Sequence, residues 1–260
     1  MKKIDETKWI SNYHGLELSP TADHTGRGNE NGILFLAEYY MFKEMLGILT
    51  IDDKARFRDI CIKMQSYRKV GEQITGCYDR GAGESLIEDE PRTPSHDNMT
   101  AISAFSFKHD MKFHKDMLAH GRKYFWRFDN WDIDEPRWSR IMHPRDIIMW
   151  GFNGGSIVSK LFLPLLGLLL IQGCYSLYKV RNGQKILKTD GQLLTFVRVY
   201  FTKDKSWGMK AIGWCCHKML EWRWGKDYFK QIFETYFKDP EHPIRILMEE
   251  VVKKDIKWYK

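Results

Sequence analysis

The amino-acid sequence predicts an all-α domain of antiparallel helical hairpins, and three observations carry that prediction. Apolar residues recur at a helical period along most of the chain, helix start and stop signals punctuate the runs, and no segment shows the apolar–polar alternation of a half-buried strand. A chain of 260 residues, 43% of them hydrophobic, is long enough for one sizeable core, so a single helical domain over 1–260 is expected. The formal charge of +7 is spread among interspersed acids and bases, unlike the concentrated stripe of a dedicated nucleic-acid binder. Aromatic residues make up 14% of the chain; they must line a core, a groove or both. Cys61, Cys77, Cys174, Cys215 and Cys216 form no CxxC pair, which predicts reduced thiols and a cytoplasmic protein. The charged stretch Met1 to Ile10 lacks the apolar run of a signal peptide.

Taken in order, residues 29–49 place Ile33, Leu36, Ala37, Tyr40, Phe42, Met45 and Leu49 near a helical period, with Glu30 in the first turn to complement the helix dipole. Asp52 and Asp53 open a second helix to about Arg68, completing a hairpin. Residues 71–95, rich in Gly, Pro and acids, read as one long loop, which in a compact domain is more often functional than ornamental. Ser95 is the expected N-cap of a helix opening on His96 and Asp97 and running into Ala101 to Phe107. A helix over 111–125 and an aromatic loop at 126–142 follow, then Pro144 at the first turn of another helix. The uncharged run 161–178 approaches bilayer-spanning length, but Pro164, Gly167 and Gln172 dilute it, so it reads as a buried core helix and no membrane partner is expected. Thr189 and Gln192 match a capping box before Leu193 to Tyr200. Helices at 207–224, 227–237 and 243–258 finish the chain, with a break at Asp239-Pro240.

If consecutive helices run antiparallel, alternate helix starts share one end of the domain. Those starts carry Glu30 with Asn31, His96 with Asp97, His143 with Asp146, and Asp190 with Gln192. Each acid alone is explained by capping; together they predict a carboxylate-bearing rim into which helix N-termini point free N–H groups. Paired carboxylates suit glycoside hydrolysis, one as protonated acid and one as base or nucleophile, and a histidine beside an acid suits proton transfer.

The stretches Asn31-Gly32-Ile33-Leu34-Phe35, Ser95-His96-Asp97-Asn98-Met99-Thr100, Pro164-Leu165-Leu166-Gly167-Leu168 and Thr189-Asp190-Gly191-Gln192-Leu193 resemble uncharacterised bacteriophage-encoded helical proteins. Those are similar in organisation to α/α-toroid carbohydrate enzymes, the six-hairpin glycosidases and toroid polysaccharide lyases. The resemblance implies a toroid or partial toroid, a host-cell cytoplasmic location and a carbohydrate or glycoconjugate substrate. It assigns Asp97 as general acid or base, His96 as its neighbour in proton transfer, and Glu30 or Asp190 as the second carboxylate. Asn31, His143 and Asp146 then bind substrate, and Tyr78, Trp126, Trp131 and Trp138 stack on sugar faces, each with ordinary packing as its alternative. No cofactor is implied.

Other signals are weaker. His109, Asp110, His114 and His120 share a stretch without metal-ligand spacing and read as mostly solvated, so no metal is expected. No P-loop or Rossmann fingerprint occurs. The C-terminal third interleaves Lys205, Trp207, Lys210, Lys218, Trp222, Arg223, Trp224 and Lys226. Two readings stand: a basic, aromatic surface for nucleic acid or a host protein, or, as favoured, lysines snorkelling over an aromatic core.

Overall fold

The computed structural model describes residues 3–10, 32–66, 69–70, 73–74, 96–116, 189–205 and 207–260. They are mostly helical: α1 (Glu6–Trp9), α2 (Gly32–Met45), α3 (Ile51–Ser66), α4 (His96–His109), α5 (Thr189–Thr202), α6 (Trp207–Trp224), α7 (Tyr228–Tyr236) and α8 (Pro243–Lys253). A 3-10 turn at Lys203–Lys205 follows α5, and 111–116 is also helical. Among the described residues, extended pairing is confined to β1 (Lys69–Val70) and β2 (Gln73–Ile74), antiparallel with Lys69 opposite Ile74. That ladder and α1 were not foreseen, but the all-α class holds.

Local chemistry explains the boundaries. α2 stops where Gly47 takes a left-handed φ of 73°; the N–H of Ile48 then reaches the Lys43 carbonyl and that of Gly47 the Glu44 carbonyl, both at 2.9 Å, a Schellman close. α3 opens on a reciprocal capping box. The Asp53 N–H donates to Thr50 Oγ1 at 3.1 Å, and the Thr50 N–H donates to Asp53 Oδ2 at 2.8 Å. α6 ends at Gly225, whose φ is 87° and whose N–H reaches the Glu221 carbonyl at 2.8 Å. α8 has Pro243 in its first turn and His242 as N-cap, with Nδ1 accepting from the Ile244 N–H at 3.2 Å.

The described part of α2 begins at Gly32, and Glu30, expected in its first turn, lies outside the described residues. Two expectations need correction. α5 includes Thr189 as its first residue instead of leaving it outside as a cap. The last helix stops at Lys253, because Asp255 adopts a φ of 52° that ends the helical turn before Trp258. Apart from β2, the long loop at 71–95 lies outside the described residues, as do 117–125 of the expected 111–125 helix, the aromatic loop at 126–142 and the run 161–178. No described helix is long and apolar enough to cross a membrane.

α2 is the axis of the core. Every residue from Gly32 to Lys43 is buried, since α2 packs against α3, α4, α5 and α8. A helix hydrophobic on all sides needs such an enclosure. Its C-terminal turn meets those of α4 and α5: Tyr40 and Phe105 have ring centroids 5.9 Å apart, and Phe105 and Phe201 5.1 Å. Lys108 Nζ lies 2.7 Å from Glu44 Oε1 and 3.1 Å from Asp204 Oδ2, just beyond α5. Because α2, α4 and α5 also pack pairwise on one another, the three helices are parallel and begin at the same end. α7 runs the other way along α2: its early Phe229 and Phe233 touch Phe42, while Tyr236 and Phe237 touch Phe35.

Candidate functional site

His96 and Asp97 open α4, and Asp190 lies in the first turn of α5. Parallel packing therefore brings these backbone positions to one end of the bundle, beside the start of α2. Their side chains lie outside the described residues, as do Glu30, Asn31, Tyr78, Trp126, Trp131, Trp138, His143 and Asp146 altogether. Among the described residues no group of three His, Cys, Asp or Glu is placed to hold a metal ion.

The opposite end is closed by charge. Buried Lys43 donates to Glu6 Oε1 at 2.7 Å and to Asp53 Oδ1 at 2.8 Å, and Tyr39 adds a hydroxyl to Glu6 Oε1 at 2.8 Å. Beside it, Glu44 accepts from Lys108 and from His109 Nε2, the latter at 2.9 Å. Burial alone raises the Glu44 carboxyl, but the bonds from His109 and Lys108 outweigh it and hold it below the usual carboxylate range. These groups satisfy one another and so tie helix ends together.

His109 and His114 are not solvated, contrary to expectation. His109 packs between Phe105 and Phe201, at 4.8 and 5.7 Å between centroids, and His114 is buried with Nδ1 3.2 Å from Ser106 Oγ. Aromatic neighbours on α4 and α5 exclude water from both rings. Glu38 is a carboxylate fully buried midway along α2; its signal in the sequence is one acid inside an otherwise apolar run. Burial pushes the Cys216 thiol up to about 11, leaving it protonated, which fits packing over redox chemistry for the adjacent Cys215 and Cys216.

Where α6, α7 and the C-terminal segment meet, Tyr228 orders a polar network. Its hydroxyl oxygen accepts from Trp258 Nε1 at 2.7 Å and lies 2.8 Å from His217 Nδ1. With the indole N–H already aimed at the oxygen, the hydroxyl proton goes to Nδ1, which makes His217 the neutral Nε2–H tautomer. The ring stacks on Tyr259 at 3.8 Å. Burial lowers the His217 pKa below its ordinary value, helped by the positive charges of Lys218 and Lys257 against the opposing pull of Glu221. A depressed histidine binds fewer protons folded than unfolded. Its contribution to stability is therefore full above the ordinary value near 6.5 and is lost as pH falls below it. His217→Gln retains an acceptor for Tyr228 but does not titrate. We expect the drop in thermal midpoint between pH 7 and pH 5 to be smaller in that variant, and an unchanged drop would remove His217 from the acid response.

The outward side of α6 carries exposed tryptophans. Trp207, Trp214 and Trp222 are 81%, 55% and 74% exposed, and helical geometry puts them within about 80° of one another around the axis. Lys210 and Lys218, both exposed, fall in or beside that sector. α6 bears Lys210, Lys218 and Arg223 against the single acid Glu221. Lys218 pairs with Glu221 at 2.6 Å, whereas Lys210 and Lys226 pair with no acid among the described residues. The inward side is pinned: a Cβ on Gly213 would stand 2.7 Å from Val199 Cγ1 and 3.6 Å from the Tyr259 carbonyl, so only glycine lets α6 lie this close to α5 and the C-terminal segment. The favoured expectation, lysines covering an aromatic core, is thereby corrected for three tryptophans. Trp224 alone packs against the core, with the Arg223 guanidinium 4.9 Å over its ring.

A basic helix face with three exposed indoles can stack on planar groups and neutralise negative charge. No protein family, curated protein or solved structure matches the chain, so the functional reading rests on these residues.

Proposed function

We propose that the chain is a non-catalytic binding protein that holds an anionic polymer along the outer face of α6. The observation that carries this is the exposure of Trp207, Trp214 and Trp222 on one side of a helix whose cations outnumber its acids. Large exposed aromatics are expensive to leave in water and mark interaction surfaces when clustered. The test is binding of labelled heparin and labelled oligothymidylate by fluorescence anisotropy across a salt series. At least one should bind, and its affinity should fall steeply between 50 and 200 mM salt, as counterion release requires. Lys210→Gln should weaken that binding. Failure of both polymers to bind at low salt would end this reading.

A second reading has its own support in the parallel packing of α2, α4 and α5, which gathers the His96-Asp97 and Asp190 positions at one end. In it the chain is a partial α/α toroid, a glycoside hydrolase or polysaccharide lyase working in the host cytoplasm, with Asp97 as general acid or base and Asp190 or Glu30 as partner. It requires bond cleavage in a polysaccharide panel that disappears in Asp97→Asn while the thermal midpoint is kept. No cleavage by the unaltered protein sinks it.

A further inference from the structure

We infer that the polymer held on α6 is a single-stranded nucleic acid, its bases stacking on Trp207, Trp214 and Trp222 and its phosphates meeting Lys210 and Lys226. The inference rests on the proposed anionic-polymer face and narrows it by chemistry. Base–aromatic stacking tolerates any sequence, because every base has a π-face. A sulfated polysaccharide offers charge and the C–H faces of its rings, but no planar, uncharged π-face.

Geometry excludes two other anionic partners. The tryptophan line runs about 22 Å along a convex helix. A duplex keeps its bases stacked inside, and a helix reading a major groove uses hydrogen-bonding side chains on base edges, whereas this face presents indoles and lysines. A membrane-surface helix separates its charges from its apolar side. Here Lys218 lies inside the sector that the tryptophans define, so insertion of the indoles into lipid drags its ammonium with them.

Spacing sets the mode. Successive indoles are about 10 and 12 Å apart along the axis, several times the ~3.4 Å rise of a stacked strand. Each tryptophan therefore takes a separate base, and the strand between is extended. A polyanion on this face meets the exposed Lys210 and Lys218 of α6 and Lys226 just beyond it.

The experiment titrates the full chain with oligothymidylates of 5, 10 and 20 nucleotides, a 20-base-pair duplex, heparin, and vesicles of phosphatidylserine and phosphatidylcholine, reading tryptophan emission and anisotropy. Oligothymidylate should quench emission and bind at least about tenfold tighter than duplex or heparin. Trp207→Ala and Trp222→Ala should each weaken it about tenfold at an unchanged thermal midpoint, since both rings are exposed. Heparin binding as tightly as oligothymidylate, with the tryptophan variants unaffected, overturns the inference and leaves the anionic-polymer reading standing. Binding to vesicles alone, or to nothing, overturns both.

Discussion

Lys43→Met is expected to destabilise the protein by about 3 kcal/mol, measured as a shift in the urea unfolding midpoint. Lys43 is buried at the end of α2, and its ammonium is the cation shared by Glu6 Oε1 and Asp53 Oδ1. Tyr39 and Tyr40 present their rings to it at 5.5 and 6.0 Å. A methionine fills the same space but removes the charge, so two carboxylates face each other with less compensation. Asp53 keeps its bonds from the Thr50 N–H and hydroxyl, each 2.8 Å, and Glu6 keeps Tyr39 and the looser Arg56 at 3.4 Å. Those remaining bonds set the expectation at the lower end of the range for breaking buried pairs. Removing the opposing charge as well, in Lys43→Met with Asp53→Asn, should recover part of the loss, and a double-mutant cycle isolates that coupling. A loss under 1 kcal/mol in the single variant would mean that the network is solvated and that α1 and α3 are held to α2 by packing alone.

This network was not legible in the sequence, and the reason is physical. Helix periods are local, so α2, α3, α6 and α7 were read within a few residues of their observed bounds from spacing and punctuation. A pairing such as Glu6 with Lys43 depends on where a four-residue helix lands against a distant one, which no local pattern encodes. The same distinction separates the two parts of the candidate site. That α2, α4 and α5 start at one end follows from alternating helix direction, and the contacts of Glu44, Lys108 and Asp204 agree with it. Which side of α6 faces water does not follow. The sequence shows tryptophan at 207, 214, 222 and 224, and apolarity favours burial of all four. Gly213 packs closely on Val199, and in that orientation three of them face out and Trp224 faces in. Glycine within a helical run was the available clue, because it costs about 1 kcal/mol against alanine unless contact demands it.

The interior anchor opposite that face gives the second large effect. Phe196→Ala should cost about 3–5 kcal/mol, again read from urea unfolding. Phe196 is fully buried on α5 and meets Phe229 at 5.2 Å, Phe233 at 5.3 Å and Trp258 at 4.7 Å between ring centroids. It thus joins α5 to α7 and to the C-terminal segment, which carries the Trp258 indole that donates to Tyr228. Truncation leaves a cavity walled by large rings that cannot collapse into it without leaving their own contacts. Phe196→Leu fills most of the space and should cost much less. A loss below 1 kcal/mol for the alanine variant would show that the aromatic cluster repacks freely. The consequence for binding separates scaffold from surface: Phe196→Ala should lower stability while the folded fraction keeps its affinity for oligothymidylate, because none of its contacts reaches Trp207, Trp214 or Trp222. The exposed-tryptophan variants should do the reverse, losing affinity at unchanged stability. Parallel loss of both properties in either set would place the binding residues in the core and not on the outer face of α6.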